Sequence, residues 1–284
     1  VTGTEIIGLV PKQALLDAGK YFLEQQQRSV GIPEEDIIKI AVKSMSLDDL
    51  RPFNPREKVI DYLLDDAVKG GEETHRPRFA ALSIKHFAED ISREGPAPGS
   101  GSASAYMGAL AAALGTMVAN VSAHKRGWDD RWEEFSQWAT MGQQMIKQLL
   151  VLTDEDARAF GDVIAAQALP RHNEDEEAAR EEAIQQALLK AAQAALRIMH
   201  AAMQVFVICR AMAKEGAPAC VGDAGVGALA ARAAVLGAGL NVKSNADQLK
   251  DYMKAGELVA KAGDLIKRAD SAERDILDIV EQRL

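Results

Sequence analysis

Side chains able to move protons or meet a polar ligand are concentrated in a few short stretches of this chain. Thr153-Asp-Glu-Asp156 places two carboxylates within three positions, and a carboxylate in a partly desolvated pocket is a competent general acid and base. The same stretch also reads as Thr153 capping a helix, with Asp154 and Asp156 in its first turn facing the helix dipole. Pro98-Gly-Ser-Gly-Ser102 and Gly222-Asp-Ala-Gly-Val-Gly227 each lead into Ala-rich apolar sequence. Read as turns, they bring Gly99, Gly101 and Ser102, and separately Asp223, to helix N-termini, where a flat or anionic ligand can approach closely; Ser102 and Asp223 are equally suited to be N-caps. Asn241 and Asn245 are four apart and share one helix face, so Asp223, Asn241 and Asn245 are expected to converge on one polar pocket. Lys125-Arg126 is the clearest basic spot for an anionic substrate, and with Gly127 it also fits a helix C-terminus closed by a left-handed glycine.

Composition narrows the chemistry. The 284 residues carry 33 basic and 42 acidic side chains, a net charge of −9, with no basic stripe interleaved with aromatics, which argues against a nucleic-acid partner. His75, His86, His172 and His200 are scattered without metal-ligand spacing, so no metal site is expected. The two cysteines, Cys209 and Cys220, form no C-x-x-C pair, and a reduced, cytoplasmic compartment fits them. The weakly polar run 103–121 has the length of a membrane span, but Ser104, Gly108, Gly115, Thr116 and Asn120 within it favour a buried helix in close contact with its neighbours over a membrane span.

These residues need elements to position them. An apolar fraction of 48% with only 5% aromatics means Ala, Leu, Val and Met, a composition suited to closely packed helices. Glu5 to Val10 predicts a short strand ended by Pro11. Helices are expected over 12–27, from Pro33, whose proline and acidic neighbours suit a first turn, and from Asn54 as N-cap to about Leu64. Residues 67–78 read as a linker between a domain at 1–66 and one at 79–284. Beyond it, helices are expected over 79–93, 102–125, 131–152, 153–168, 174–214, 224–242 and from 246 onward. The 174–214 helix alone would be about 60 Å long, so the expected fold is mainly α: an elongated antiparallel helical bundle with a small N-terminal remnant of an α/β domain. Because the sequence opens on Val1-Thr-Gly-Thr as if in mid-domain, it is expected to be part of a longer polypeptide.

From about Ala80 onward the chain resembles the formiminotetrahydrofolate cyclodeaminase family, which includes stand-alone methenyltetrahydrofolate cyclohydrolases. The resemblance rests on Ala97-Pro-Gly-Ser-Gly-Ser-Ala103, Thr153-Asp-Glu-Asp-Ala-Arg-Ala-Phe160, Ala168-Leu-Pro170, Gly216-Ala-Pro218, Gly222-Asp-Ala-Gly225 and Gly239-Leu-Asn-Val242 with Asn245. Residues 1–66 are similar to the C-terminal end of a glutamate formiminotransferase domain, through Glu5-Ile-Ile-Gly-Leu-Val-Pro11, Arg51-Pro-Phe53 and Val59-Ile-Asp-Tyr62. Domains in this order resemble bifunctional formiminotransferase-cyclodeaminases with most of the transferase half missing. The chain departs from the family at Ser100, Ala217 and Gly222, where a glycine, an asparagine and a serine are usual.

That resemblance implies cyclisation of 5-formiminotetrahydrofolate to 5,10-methenyltetrahydrofolate with release of ammonia, within folate one-carbon metabolism and histidine degradation. It implies no prosthetic group, a tetrahydrofolate derivative as substrate, and a homo-oligomer, dimer or larger, joined to a formiminotransferase domain of the same polypeptide. Asp156 is the expected acid/base, with Asp154 the alternative within the motif. Asp223 is expected at the pterin edge, Asn241 and Asn245 at the one-carbon unit, the 99–102 turn beside the substrate, and Lys125 or Arg126 at the glutamate tail. A cyclohydrolase using the same pocket, and a non-catalytic helical oligomerisation module, are the competing expectations.

Overall fold

The structure, a computed structural model, describes residues 4–69, 79–95 and 97–284; of the expected linker, residues 70–78 lie outside them. The described residues are helical with no strand. Where a strand was expected at Glu5 to Val10, only Val10 pairs, in an isolated parallel bridge with Val59. A single bridge next to Pro11, which has no amide to extend the ladder, does not propagate.

The chain packs as two units, Val1–Pro77 with Ala119–Gln143, and Arg78–Val118 with Gln144–Leu284. In the first, α1 (Lys12–Gln25) and α2 (Glu34–Ser44) face each other through Leu15, Leu16, Leu23, Ile37, Ile38, Ala41 and Val42. Asn54 caps a single turn, α3 (Pro55–Lys58), by accepting from the Arg56 amide. Val59 takes an extended conformation, and α4 (Ile60–Lys69) follows. The helix expected to end near Leu64 is therefore broken early and runs further. The Ser29–Gly31 backbone of this unit is held by side chains: His124 Nε2 accepts from the Ser29 amide (3.2 Å), Ser136 Oγ accepts from the Val30 amide (3.0 Å), and Asn120 Nδ2 donates to the Gly31 carbonyl (2.9 Å). Trp128 stacks on Phe135, with Lys125 Nζ 3.8 Å from the Trp128 ring centre. Gly127 adopts the left-handed conformation expected of it, at φ +85°.

In the second unit a 3-10 turn, Phe79–Ala81, precedes α5 (Ile84–Ile91), which Ser83 caps by accepting from the His86 amide. Then come α6 (Ser100–Ala123), whose end belongs to the first unit, α7 (Trp132–Gln167), whose start does, α8 (Glu174–Glu215), α9 (Val221–Ala246) and α10 (Tyr252–Glu281). α8 and α9 pack along each other and α10 packs on both, a layer built largely of alanine: Ala191, Ala192, Ala195 and Ala202 on α8, and Ala224, Ala228, Ala231 and Ala238 on α9, are all buried. Such small residues let backbones approach, and Gly227 is one such contact. A Cβ there would lie 2.9 Å from Cys209 Sγ and 3.2 Å from the Ala111 carbonyl. Arg283 closes the end of α8, donating to the Ala213 and Gly216 carbonyls. Ser100–Ala123, Glu174–Glu215 and Pro218–Ala246 are each long and apolar enough to cross a membrane; here much of that apolar surface is turned on one another.

Two cap readings are corrected. Thr153 begins no helix: α7 runs without a break through 36 residues, and the Thr153 hydroxyl donates back to the Leu149 carbonyl, as threonine does inside a helix. Gly222-Asp-Ala-Gly-Val-Gly227 is not a turn, because α9 begins at Val221; Gly225 and Gly227 are contact points with neighbouring helices, whereas a Cβ on Gly222 would meet nothing within 4 Å.

Candidate active site

The N-terminus of α6 leaves its first amides without intrahelical partners, and one of them is used by a carboxylate from another helix. Asp156, in the second half of α7 and only 7% exposed, accepts from both the amide and the hydroxyl of Ser102, with Ser102 Oγ 3.1 Å from Oδ2. Asn241 Nδ2 donates to the other oxygen, Oδ1, at 3.1 Å. Asn245 stands behind Asn241: its amide donates to the Asn241 backbone carbonyl (2.9 Å) and to Asn241 Oδ1 (3.3 Å). That engages the oxygen end of Asn241 and turns its NH₂ toward Asp156. Gly101 makes the clasp possible, since a Cβ at this position would overlap Asp156 Oδ1.

Burial pushes the Asp156 carboxyl above the usual carboxylate range, against the bonds from Ser102 and Asn241, which favour its charged form. Ser102, itself fully buried, has one hydroxyl proton and two acceptors in reach, Asp156 Oδ2 and the Thr153 carbonyl at 3.0 Å. With Asp156 ionised, the hydroxyl donates to the carboxylate. With Oδ2 protonated, the carboxyl donates to Oγ and the hydroxyl turns to Thr153. Both protonation states are thus hydrogen-bonded, as a group that takes and returns a proton requires.

Asp156 and Asn241 open onto a cleft of about 120 Å³ lined also by Ala97, Gly99, Ser100, Gly101, Ala157 and Phe160. Of the residues singled out from the sequence, Gly99, Gly101, Asp156 and Asn241 therefore meet here, with Ser102 and Asn245 directly behind. Asp154, two positions from Asp156, is on another face of α7 and accepts from the Ala80 amide (3.3 Å). The expected convergence of Asp223 with Asn241 and Asn245 does not occur: Asp223 lies in the first turn of α9, eighteen positions or about 27 Å of helix from Asn241. It is not an N-cap either, since Cys220 holds that position without a side-chain bond. Ser102 likewise is inside α6 rather than capping it. Lys125 and Arg126 belong to the first unit and do not line the cleft. Phe160 and Ala97 were not singled out as site residues; the available signal for Phe160 was its place four residues after Asp156, one helical turn along the same face.

A helical bundle with a buried, hydrogen-bonded carboxyl at the mouth of a cleft has the groups that proton transfer requires, assembled without strands. A solved structure, the formiminotetrahydrofolate cyclodeaminase of Thermotoga maritima, shares the fold with a TM-score of 0.63 at 22% identity, over 71% of this chain and 97% of that one. The formiminotransferase-cyclodeaminase family matches residues 83–264 and the formiminotransferase domain residues 1–65; the chain belongs to the formiminotransferase-cyclodeaminase family. Formimidoyltransferase-cyclodeaminases of Gallus gallus and Rattus norvegicus are 31% and 30% identical to it over 283 residues. Those alignments take in all of this chain and 51% of each relative, so the chain spans about half the length of these curated relatives. A methenyltetrahydrofolate cyclohydrolase of Methylorubrum extorquens is 30% identical over 202 residues, 71% of this chain and 97% of that protein.

Proposed function

We propose that the helical domain cyclises 5-formiminotetrahydrofolate to 5,10-methenyltetrahydrofolate and ammonia, with Asp156 as the group that moves the proton. The observation that carries this reading is the buried carboxyl at the cleft mouth, hydrogen-bonded in both of its protonation states by Ser102. In the reaction N10 of the folate attacks the formimino carbon, forming the N10–C bond. Ionised Asp156 takes the N10 proton and returns it to the exocyclic nitrogen. The bond from carbon to that nitrogen then breaks and ammonia leaves. Starting from the protonated formimino group, the methenyl cation carries away the same single positive charge, so the step balances without an added reactant. Asn241, held by Asn245, keeps Oδ1 in place while Oδ2 exchanges its proton. The family membership and the similarity to formimidoyltransferase-cyclodeaminases support this substrate over other amidines.

The 97% coverage of the Methylorubrum extorquens protein favours one second reading, a methenyltetrahydrofolate cyclohydrolase, in which Asp156 would deprotonate water instead of N10. Formation of the methenyl chromophore and of ammonia from 5-formiminotetrahydrofolate separates the two. Wild type should produce both, and Asp156→Asn should lose about 10² to 10⁴-fold in kcat. A folded chain that is inert on this substrate but hydrolyses methenyltetrahydrofolate establishes the second reading, and inertness on both removes both.

The proposal extends to a homo-oligomer of dimer size or larger in a cytoplasmic setting. The outward residues Val226, Leu229 and Leu240 of α9 are exposed and apolar, as in a face covered by a second subunit. The free thiols Cys209 and Cys220 are at home in a reducing compartment.

A further inference from the structure

We propose that Phe160 is the surface on which the substrate's aryl ring stacks, the ring bonded directly to the nitrogen that Asp156 deprotonates; the inference rests on the proton-transfer reading above. Phe160 follows Asp156 by four residues on the uninterrupted helix α7, which puts the two on one face about 6 Å apart along the axis. Both line the cleft, and the other lining residues are small or polar: Ala97, Gly99, Ser100, Gly101, Ala157 and Asn241. Phe160 is therefore the one extended apolar surface among them.

Its exposure sets it apart from its aromatic neighbours. Phe79 and Phe87 are buried with Ala157 in a small core, at 6% and 7% exposed, whereas Phe160 remains 41% exposed. A lone exposed apolar side chain is ordinary on a protein surface. Beside a buried carboxyl in an open cleft it matches a ligand that is polar at one atom and flat and apolar at the next. An N-aryl amine has that form: the nitrogen that must reach Asp156 is bonded to a benzene ring, so whatever places the nitrogen at the carboxyl brings the ring within one helical turn of it. Offset stacking against phenylalanine then fixes the ring, and the glycines lining the same cleft leave room for a flat group.

Stacking of this kind persists from ground state to product, so its loss weakens binding and leaves the chemical step intact. The test is calorimetric binding of 5-formyltetrahydrofolate, a stable analogue with the aryl tail, beside a tetrahydropterin that lacks it, to wild type, Phe160→Ala, Phe160→Leu and Phe160→Tyr. Phe160→Ala should bind the full analogue about tenfold or more weakly and the tail-less pterin as wild type does. Phe160→Leu should fall between them, Phe160→Tyr should stay within about twofold of wild type, and KM should rise in step while kcat holds. Unchanged affinity in folded Phe160→Ala, an equal loss for both ligands, or no binding of the full analogue by wild type overturns the inference. A wild type that binds through Phe160 yet releases no ammonia from the formimino substrate overturns the proposed reaction alone.

Discussion

Asp156 answers two opposed demands at the scale of a single side chain. The proposed reaction needs it ionised at one moment and protonated at the next, while its burial favours the neutral form. A carboxyl whose folded pKa is raised lends stability at low pH, and that contribution fades as pH rises through the folded value. Asp156→Asn copies the neutral state: its NH₂ can donate to Ser102 Oγ, the Ser102 hydroxyl then donates to Thr153, and its oxygen still accepts from Asn241. The variant should therefore melt higher than wild type by about 2–4 °C at pH 8, with the difference shrinking as pH is lowered through the carboxylate range; a thermal shift series across pH reads this directly. Gly101→Ala drives a methyl into Asp156 Oδ1, and an active-site displacement on the order of 1 Å costs about 10²-fold. A fall in kcat of that size with unchanged circular dichroism is the expected result. At this scale the sequence disclosed much. Four-residue spacing placed Asn241 and Asn245 together, and two-residue spacing guaranteed that Asp154 and Asp156 could not share a face. Which of the two met the cleft depended on where α6 begins, a contact fifty residues away in the chain that no local pattern encodes.

Helices here run through residues that usually end them. Thr153 and its acidic followers have the local chemistry of a helix start, yet α7 continues because no proline or glycine pair interrupts it and the threonine hydroxyl finds the Leu149 carbonyl. The glycines of 222–227 look like a turn because glycine supplies turns; in α9, Gly227 is instead what remains when a helix must touch Cys209 on α8 and Ala111 on α6, and Gly225 faces Val280 on α10. Tertiary approach selected against a side chain, and a single sequence does not show which of the two causes placed the glycine. Gly227→Val tests this at the level of packing. Overpacking three helices at once costs about 1–3 kcal/mol, so the melting temperature should drop by roughly 2–10 °C, with kcat preserved at temperatures where the variant is folded. A turn glycine exposed to solvent would tolerate the same change.

Each packing unit holds a titrating side chain, and the two are shifted in opposite senses. In the second, Asp156 favours the folded state as pH falls. In the first, burial and the nearby Arg28 charge hold the His124 imidazole below its ordinary value while its Nε2 accepts from Ser29. A histidine with a lowered folded pKa contributes fully above its unfolded value near 6.5, and that stability is lost as pH falls from there toward the folded value. Amide exchange at Ser29, Val30 and Gly31, corrected for intrinsic rate, should accelerate as pH falls below about 6.5. His124→Gln, which keeps an acceptor that does not titrate, should flatten the response. The mainly helical fold followed from composition and periodicity, whereas the grouping of Ala119–Gln143 with Val1–Pro77 rests on long-range contacts such as those of Ser29–Gly31, which leave no mark in local pattern. The apolar helices α6, α8 and α9 matter before the molecule is folded as much as after. Until they bury one another, an emerging chain displays three stretches with the hydropathy that a membrane-insertion channel recognises. Variants slow to assemble this layer should therefore be lost to bilayers and to chaperones during synthesis, and their cellular yield will track the rate of helix docking more closely than the final melting temperature.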